Sequence, residues 1–172
     1  MKYDRFEQLP VWQSAMDVAQ GIYYLTENAA FSMAGDLCSQ LRRAALSVSN
    51  NIAEGFERGT TAELLSFLYI ARGSAGQVRS MLHFAERYER TAHLKSQTSD
   101  LKSQISDLKS LAESCSRQIR GWADSLQNSD IAGQRRLNDK SRAAYESKRR
   151  AEAFLKQVDD AVRRQHPPQT LE

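Results

Sequence analysis

Apolar residues recur at helical spacing through most of this chain. Val11, Ala15, Val18, Ile22 and Leu25 step by four and three, which puts them on one stripe of a helix. Pro10 suits the first helical position, where a missing N–H costs nothing, so a first helix is predicted from Pro10 to about Glu27. Phe6, Leu9 and Trp12 are expected to fold back as a lid on the end of the bundle. Asn28–Met33 reads as a loop, with Ser32 able to cap the next helix. Leu37, Leu41, Ala44, Val48 and Asn51, widened by Ala45 and Ile52, mark a second helix from about Met33 to Glu54. Gly55 is read as the left-handed residue just past that helix, and Phe56–Gly59 as the turn. Thr60 followed by Glu63 has capping-box spacing and starts a third helix near Thr61.

The third stripe is the clearest: Leu64, Leu68, Ala71, Ala75, Val78, Leu82 and Ala85 run on without a break. Gly73, Ser74 and Gly76 sit around its middle. Glycine inside a helix costs roughly 1 kcal/mol against alanine, so a close approach by another helix is expected there. Three near-identical heptads then run from Leu94 to Ser114, LKSQTSD, LKSQISD and LKSLAES. A duplicated heptad keeps the apolar phase, so a helix absorbs it. The seam of a fourth helix runs through Leu101, Ile105, Leu108, Ala112, Cys115, Ile119, Trp122 and Leu126, with Ser99 or Asp100 as its cap. The first heptad fits the end of the third helix, the loop or the start of the fourth. QNSDIAG over 127–133 is a polar break, and a fifth helical segment is expected from about Gln134 to Gln165 before a frayed tail at HPPQTLE.

Four apolar seams in sequence predict an all-α fold. It is an antiparallel up-down-up-down four-helix bundle over residues 1–128, with a C-terminal basic helical extension over 129–172. The sparse breakers, 8 Gly and 3 Pro in 172 residues, agree with long helices. No apolar run is long enough to cross a bilayer, and MKYDRFEQLP is not a secretory signal, so a cytoplasmic protein without a membrane partner is expected. Cys38 and Cys115 lie on apolar stripes and read as buried free thiols of a reduced compartment.

Charge changes the picture at one end. Residues 1–128 carry 14 Lys+Arg against 14 Asp+Glu, and residues 129–172 carry 10 against 7, so the net +3 lies wholly in the last quarter. Nucleic-acid binding by the bundle would therefore need a local patch or the repeated face of an assembly.

The stretch QLRRAALSVSNNIAEGFERG at 40–59, with ELLSFLYIARGSAGQ at 63–77, resembles a bacterial four-helix-bundle family. The opening FEQLPVWQSAMDVAQGIYYLT is similar to that family's first helix. The family includes proteins encoded in intervening sequences of 23S ribosomal RNA genes and the accessory variability protein of diversity-generating retroelements. The resemblance covers about residues 3–128. It implies a homo-oligomer, a pentameric ring, with no enzymatic activity and no cofactor. For the retroelement member it implies a basic surface that contacts nucleic acid and binds a reverse transcriptase. The sequence departs from the family pattern at Ser32, where proline is usual, at Gln77, where glutamate is common, and in the basic extension.

Candidate site residues each carry two readings. Arg42 and Arg43 match the family's paired arginines. They read as phosphate-contacting or subunit-bridging groups, or as partners in salt bridges to Glu54, Glu57 or Asp36. Adjacent helical residues diverge by about 100°, so they cannot both point the same way. Arg72 and Arg79, continued by His83, Glu86 and Arg90, form either a basic edge or a solvated helix face. Arg135, Arg136, Lys140, Arg142, Lys148, Arg149 and Arg150 can run along a phosphate backbone or serve as a solubilising helix. Asn51 is expected to satisfy backbone groups at the second helix end, and Glu54 to pair with an arginine. Catalysis at Glu54 finds no His, Cys or second carboxylate in support. No Cys/His pattern has metal-ligand spacing, and no phosphate loop or nucleophile elbow is present. Trp12, Tyr23, Tyr24, Tyr69 and Trp122 are read as core or interface anchors. The leading reading is a non-enzymatic oligomeric scaffold for RNA or DNA, in the retroelement case an accessory to a reverse transcriptase, with no small-molecule substrate. The alternative is a protein–protein module with no nucleic-acid ligand.

Overall fold

The computed structural model describes residues 3–28, 36–88, 99–129, 147 and 150–158. The chain divides into two units, Met1–Gly133 and Gln134–Glu172. Four helices make up the described part of the first unit: α1 (Pro10–Glu27), α2 (Asp36–Glu57), α3 (Thr61–Arg87) and α4 (Ser99–Gln127). A 3-10 turn at Phe6–Gln8 precedes them.

The apolar stripes become the core, as their spacing requires. All five residues of the first stripe and all seven of the third are buried, and in α4 Leu101, Ile105, Leu108, Ala112, Cys115 and Ile119 are too. Each large aliphatic side chain so buried contributes about 1.5–3 kcal/mol. Trp122 is half-buried and Ala123 takes the seam position beside it, because 3.6 residues per turn drifts against a strict heptad. The result is the all-α bundle the seams predict.

Each helix packs on two neighbours, α1 on α2 and α4, and α3 on the same two. Contacts give their relative direction. Gly55 of α2 lies against Leu64 and Phe67 of α3, while Ser47 bonds Ser74. Lys109 of α4 reaches Glu86 of α3, Glu113 reaches Arg79, and Gln127 reaches Tyr69. Gly21 of α1 lies against Leu108 of α4, while Ser14 meets Gln118. In each pair one residue number rises as the other falls, so these neighbours run in opposite directions.

The ends show where local rules hold. Thr60 caps α3 as its spacing predicts: Glu63 N–H donates to Thr60 Oγ1 at 3.2 Å, and Thr60 N–H donates back to Glu63 Oε2 at 3.2 Å. Leu9 is buried, and Phe6 meets Trp12 edge-on at 5.2 Å, forming the lid. α3 ends at Arg87, so the heptad starting at Leu94 does not form its last turn. Ser32, Met33 and the capping side chain of Ser99 lie outside the described residues.

Several expectations fail. α2 does not stop at Glu54 but continues to Glu57, because Phe56 belongs to the core and draws the chain on. Arg58 N–H donates to Glu54 O at 3.1 Å and closes that last turn. Gly55 is therefore a buried helical residue and not a left-handed cap. A Cβ there would stand 2.7 Å from Phe67 Cβ and 3.1 Å from Leu64 Cδ1, so glycine is what lets α2 and α3 touch. The close approach expected at Gly73 is absent: a Cβ at Gly73 or Gly76 meets nothing within 4 Å. Of the two readings of Tyr24, core or interface anchor, its 74% exposure removes the first. Cys115 is buried, but Cys38 only half-buried.

In the second unit residues 150–158 are helical and exposed. The rest of the predicted fifth segment lies outside the described residues.

Candidate nucleic-acid interface

Arg42 and Arg43 diverge as their adjacency dictates. Arg43 is exposed and Arg42 half-buried against α1. Thr26, in the last turn of α1, donates its hydroxyl hydrogen to Ile22 O at 2.7 Å and accepts one from Arg42 Nε at 2.7 Å. The Arg42 guanidinium lies over the Tyr23 ring, 5.0 Å from its centroid. Two contacts thus fix the plane of the group, and its outer nitrogens make no ion pair with a described residue. Among the described residues no carboxylate forms an ion pair with Arg42, Arg43 or Arg72. Glu54 pairs with an arginine as expected, and that arginine is Arg58, four residues on. A pinned, uncompensated guanidinium is suited to a phosphate or carboxylate arriving from outside.

The other basic edge is partly neutralised. Arg79 pairs with Glu113 at 3.7 Å, and Glu113 also takes Arg117 at 3.4 Å. Glu86 receives Lys109 at 2.8 Å and His83 at 3.7 Å. Arg72 is half-buried on α3 and Arg150 exposed. Arg135, Arg136, Lys140, Arg142, Lys148 and Arg149 lie outside the described residues.

Asn51, Ser47 and Ser74 form a link that periodicity alone did not reveal. Asn51 Nδ2 donates to Ser47 O at 2.7 Å and to Ser47 Oγ at 3.0 Å. Ser47 Oγ and Ser74 Oγ share a hydrogen bond of 2.9 Å, and Ser74 also donates to Ile70 O at 3.0 Å. Asn51 therefore serves a polar chain stitching α2 to α3 in mid-helix, and not the helix end. Its signal was the small hydroxyls Ser47 and Ser74 flanking two seams.

The reactive groups are muted. Burial pushes the Cys115 thiol up to about 11, against a smaller opposing effect of its hydrogen bond to Ser14. Burial also raises Cys38, opposed by the charge of Arg42. Arg5, hydrogen-bonded to Glu7, holds that exposed carboxyl below its ordinary value. Among the described residues no three His, Cys, Asp or Glu side chains gather to hold a metal. Nor is any described helix long and apolar enough to cross a membrane.

Two adjacent arginines, one pinned on α1 and one outward, then NIAEG packed through Gly55 on the next helix, form the structural core of the 40–59 stretch. No curated protein matches the chain. The family described as 23S rRNA-intervening sequence protein matches residues 7–114, more than half of the chain and most of the bundle. The chain belongs to the 23S rRNA-intervening sequence protein family.

Proposed function

We propose that the protein is a non-enzymatic, self-assembling scaffold that holds RNA or DNA through its phosphates. The observation that carries this reading is Arg42, fixed by Thr26 and Tyr23 with its outer nitrogens free of any described carboxylate. Self-assembly is supported by the outward face of α3, where Ile70 is 52% and Phe84 53% exposed, with Phe84 stacked on Tyr88 at 5.3 Å. Phe84 with Tyr88 forms one exposed apolar patch and Tyr69 with Ile70 another, and patches of this kind favour association. Repetition of Arg42 around a ring would build a field that a single neutral bundle lacks. The basic residues between 135 and 150 would add phosphate contacts. Such contacts are blind to sequence. After the retroelement member of the family, a reverse transcriptase is the protein partner this reading favours, and the cytoplasm its setting.

The test is fluorescence anisotropy of single-stranded RNA and DNA oligonucleotides on the full chain across a salt series. Binding should weaken steeply with salt. Arg42→Gln should flatten the slope by roughly 0.7 for each phosphate of a single strand that it leaves without a cation. No binding at low salt would remove the proposal. It would favour the second reading, a protein–protein module, for which the exposed Phe154, Leu155 and Val158 of the second unit speak.

A further inference from the structure

The bundle contains an internal example of how it recognises guanidinium. Arg58 lies over the Phe67 ring, 5.1 Å from the centroid, and pairs with the Glu54 carboxylate. An aromatic face and a carboxylate hold one planar cation between them.

A second aromatic and carboxylate share a groove between α1 and α4, of about 420 Å³. Leu25 and Leu108, both buried, form its floor beside Gly21, and the exposed Tyr24, Gln104 and Asp107 form its rim. No cation is among its described lining residues. α1 itself has no Lys or Arg, and its Asp17 and Glu27 are exposed. Among the described residues Asp107 accepts one long hydrogen bond, 3.5 Å from Ser103 Oγ, which occupies little of its acceptor capacity. A phosphate is repelled here. A guanidinium fits, stacked on Tyr24 and bonded to Asp107.

We infer that this groove receives the Arg43 side chain of a second copy of the chain. Arg43 is outward, has no ion-pair partner among the described residues, and is one turn from exposed Leu46 on α2. It stands at the same level along the bundle as the groove. The neighbouring Arg42 touches Thr26 of α1, and the groove is built on residues 21–28 of that same helix. α2 and α4 lie on different sides of α1–α3, so donor and acceptor face different ways. A contact of this kind joins unlike faces of successive copies and propagates round a ring, instead of closing after two. It leaves Arg42 available for phosphate. The inference rests on the self-assembly proposed above and not on the nucleic-acid ligand.

Sedimentation velocity of the full chain provides the test, with circular dichroism as a check on folding. Asp107→Arg and Arg43→Asp should each weaken self-association by about tenfold or more. Their combination, which restores opposite charges across the contact, should recover most of the loss. Tyr24→Ala, free of any charge change, should weaken association in the same direction. Unchanged assembly in the single variants, or a double variant no better than either, would overturn the inference while leaving self-assembly standing. A monomeric wild-type chain would overturn both. Oligonucleotide binding by the wild-type chain at low salt, measured alongside, reports separately on the nucleic-acid reading.

Discussion

The same substitution should have opposite signs at two glycines of this bundle. Gly55 and Gly73 are both helical, and alanine gains roughly 0.5–1 kcal/mol over glycine in a helix when nothing else changes. At Gly73 nothing else changes: the added methyl meets no atom within 4 Å. Gly73→Ala should therefore raise stability by about 0.5–1 kcal/mol. At Gly55 the methyl would stand 2.7 Å from Phe67 Cβ, an atom fixed to the α3 backbone, and 3.4 Å from Leu64 O. Neither can swing away as a side-chain tip would, so α2 and α3 must separate. Overpacking of this kind costs about 1–3 kcal/mol, which exceeds the propensity gain. Gly55→Ala should lower stability by a net amount of about 1–2 kcal/mol. For a domain of this size each kcal/mol moves the melting temperature by roughly 3–5 °C, so the two variants should fall on opposite sides of wild type in a thermal scan monitored at 222 nm. A rise at both sites would refute the claim that the α2–α3 contact is tight. A fall at both would show that Gly73 is covered.

Other consequences are measurable. Arg42→Lys keeps the charge but loses the planar stacking on Tyr23 and the Nε bond to Thr26, so oligonucleotide affinity should fall severalfold at low salt; equal affinity would mean that charge alone matters. A thiol reagent at neutral pH should label Cys38 before Cys115, and equal rates would contradict the burial of Cys115. The Cys115 thiol ionises near 11 when folded and near the ordinary 9.0 when unfolded, so its contribution is intact below pH 9 and declines as pH rises from there towards 11. Cys115→Ala should remove that part of the alkaline loss, seen as a shallower fall in denaturation midpoint. Glu54→Gln breaks only an exposed pair with Arg58 and should shift stability by less than about 0.5 kcal/mol; a larger loss would assign Glu54 a further structural role. Truncation after Gln127 should leave the bundle folded, whereas loss of helix signal well beyond the removed segment would show that the core needs residues 128–172.

The parts of the fold that were legible are those governed by local spacing. Val11 to Leu25 and Leu64 to Ala85 declare their buried face through steps of three and four, and Thr60 with Glu63 declares a helix start through hydrogen bonds that span three residues. What escaped depends on a partner from elsewhere in the chain. Gly55 and Gly73 are both helical glycines, yet Gly55 continues the stripe of Val48 and Ile52, while Gly73 falls between Ala71 and Ala75 and off the seam. That phase was the available signal, and the cap preference of glycine outweighed it. Tyr24 precedes Leu25 and so points about 100° away from the stripe, which its aromatic character obscured. The pinning of Arg42 needs α1 alongside α2, and the neutralisation of Arg79 needs Glu113 on α4. Neither is readable from one helix at a time.

The tandem heptads have a consequence for inheritance. Lys102 and Lys109 occupy equivalent places in successive units, as do Leu101 and Leu108, so sliding α4 by seven residues exchanges like for like over residues 99–103 and keeps an apolar residue at the next seam position, Ile105 against Ala112. Alignment is then dictated further along, where Gln118 meets Ser14 and Gln127 meets Tyr69. Gain or loss of one unit by slippage during DNA copying keeps the reading frame and moves only the junction between α3 and α4. Length variants of this gene should accordingly yield folded products that differ in the number of residues between α3 and Gln118.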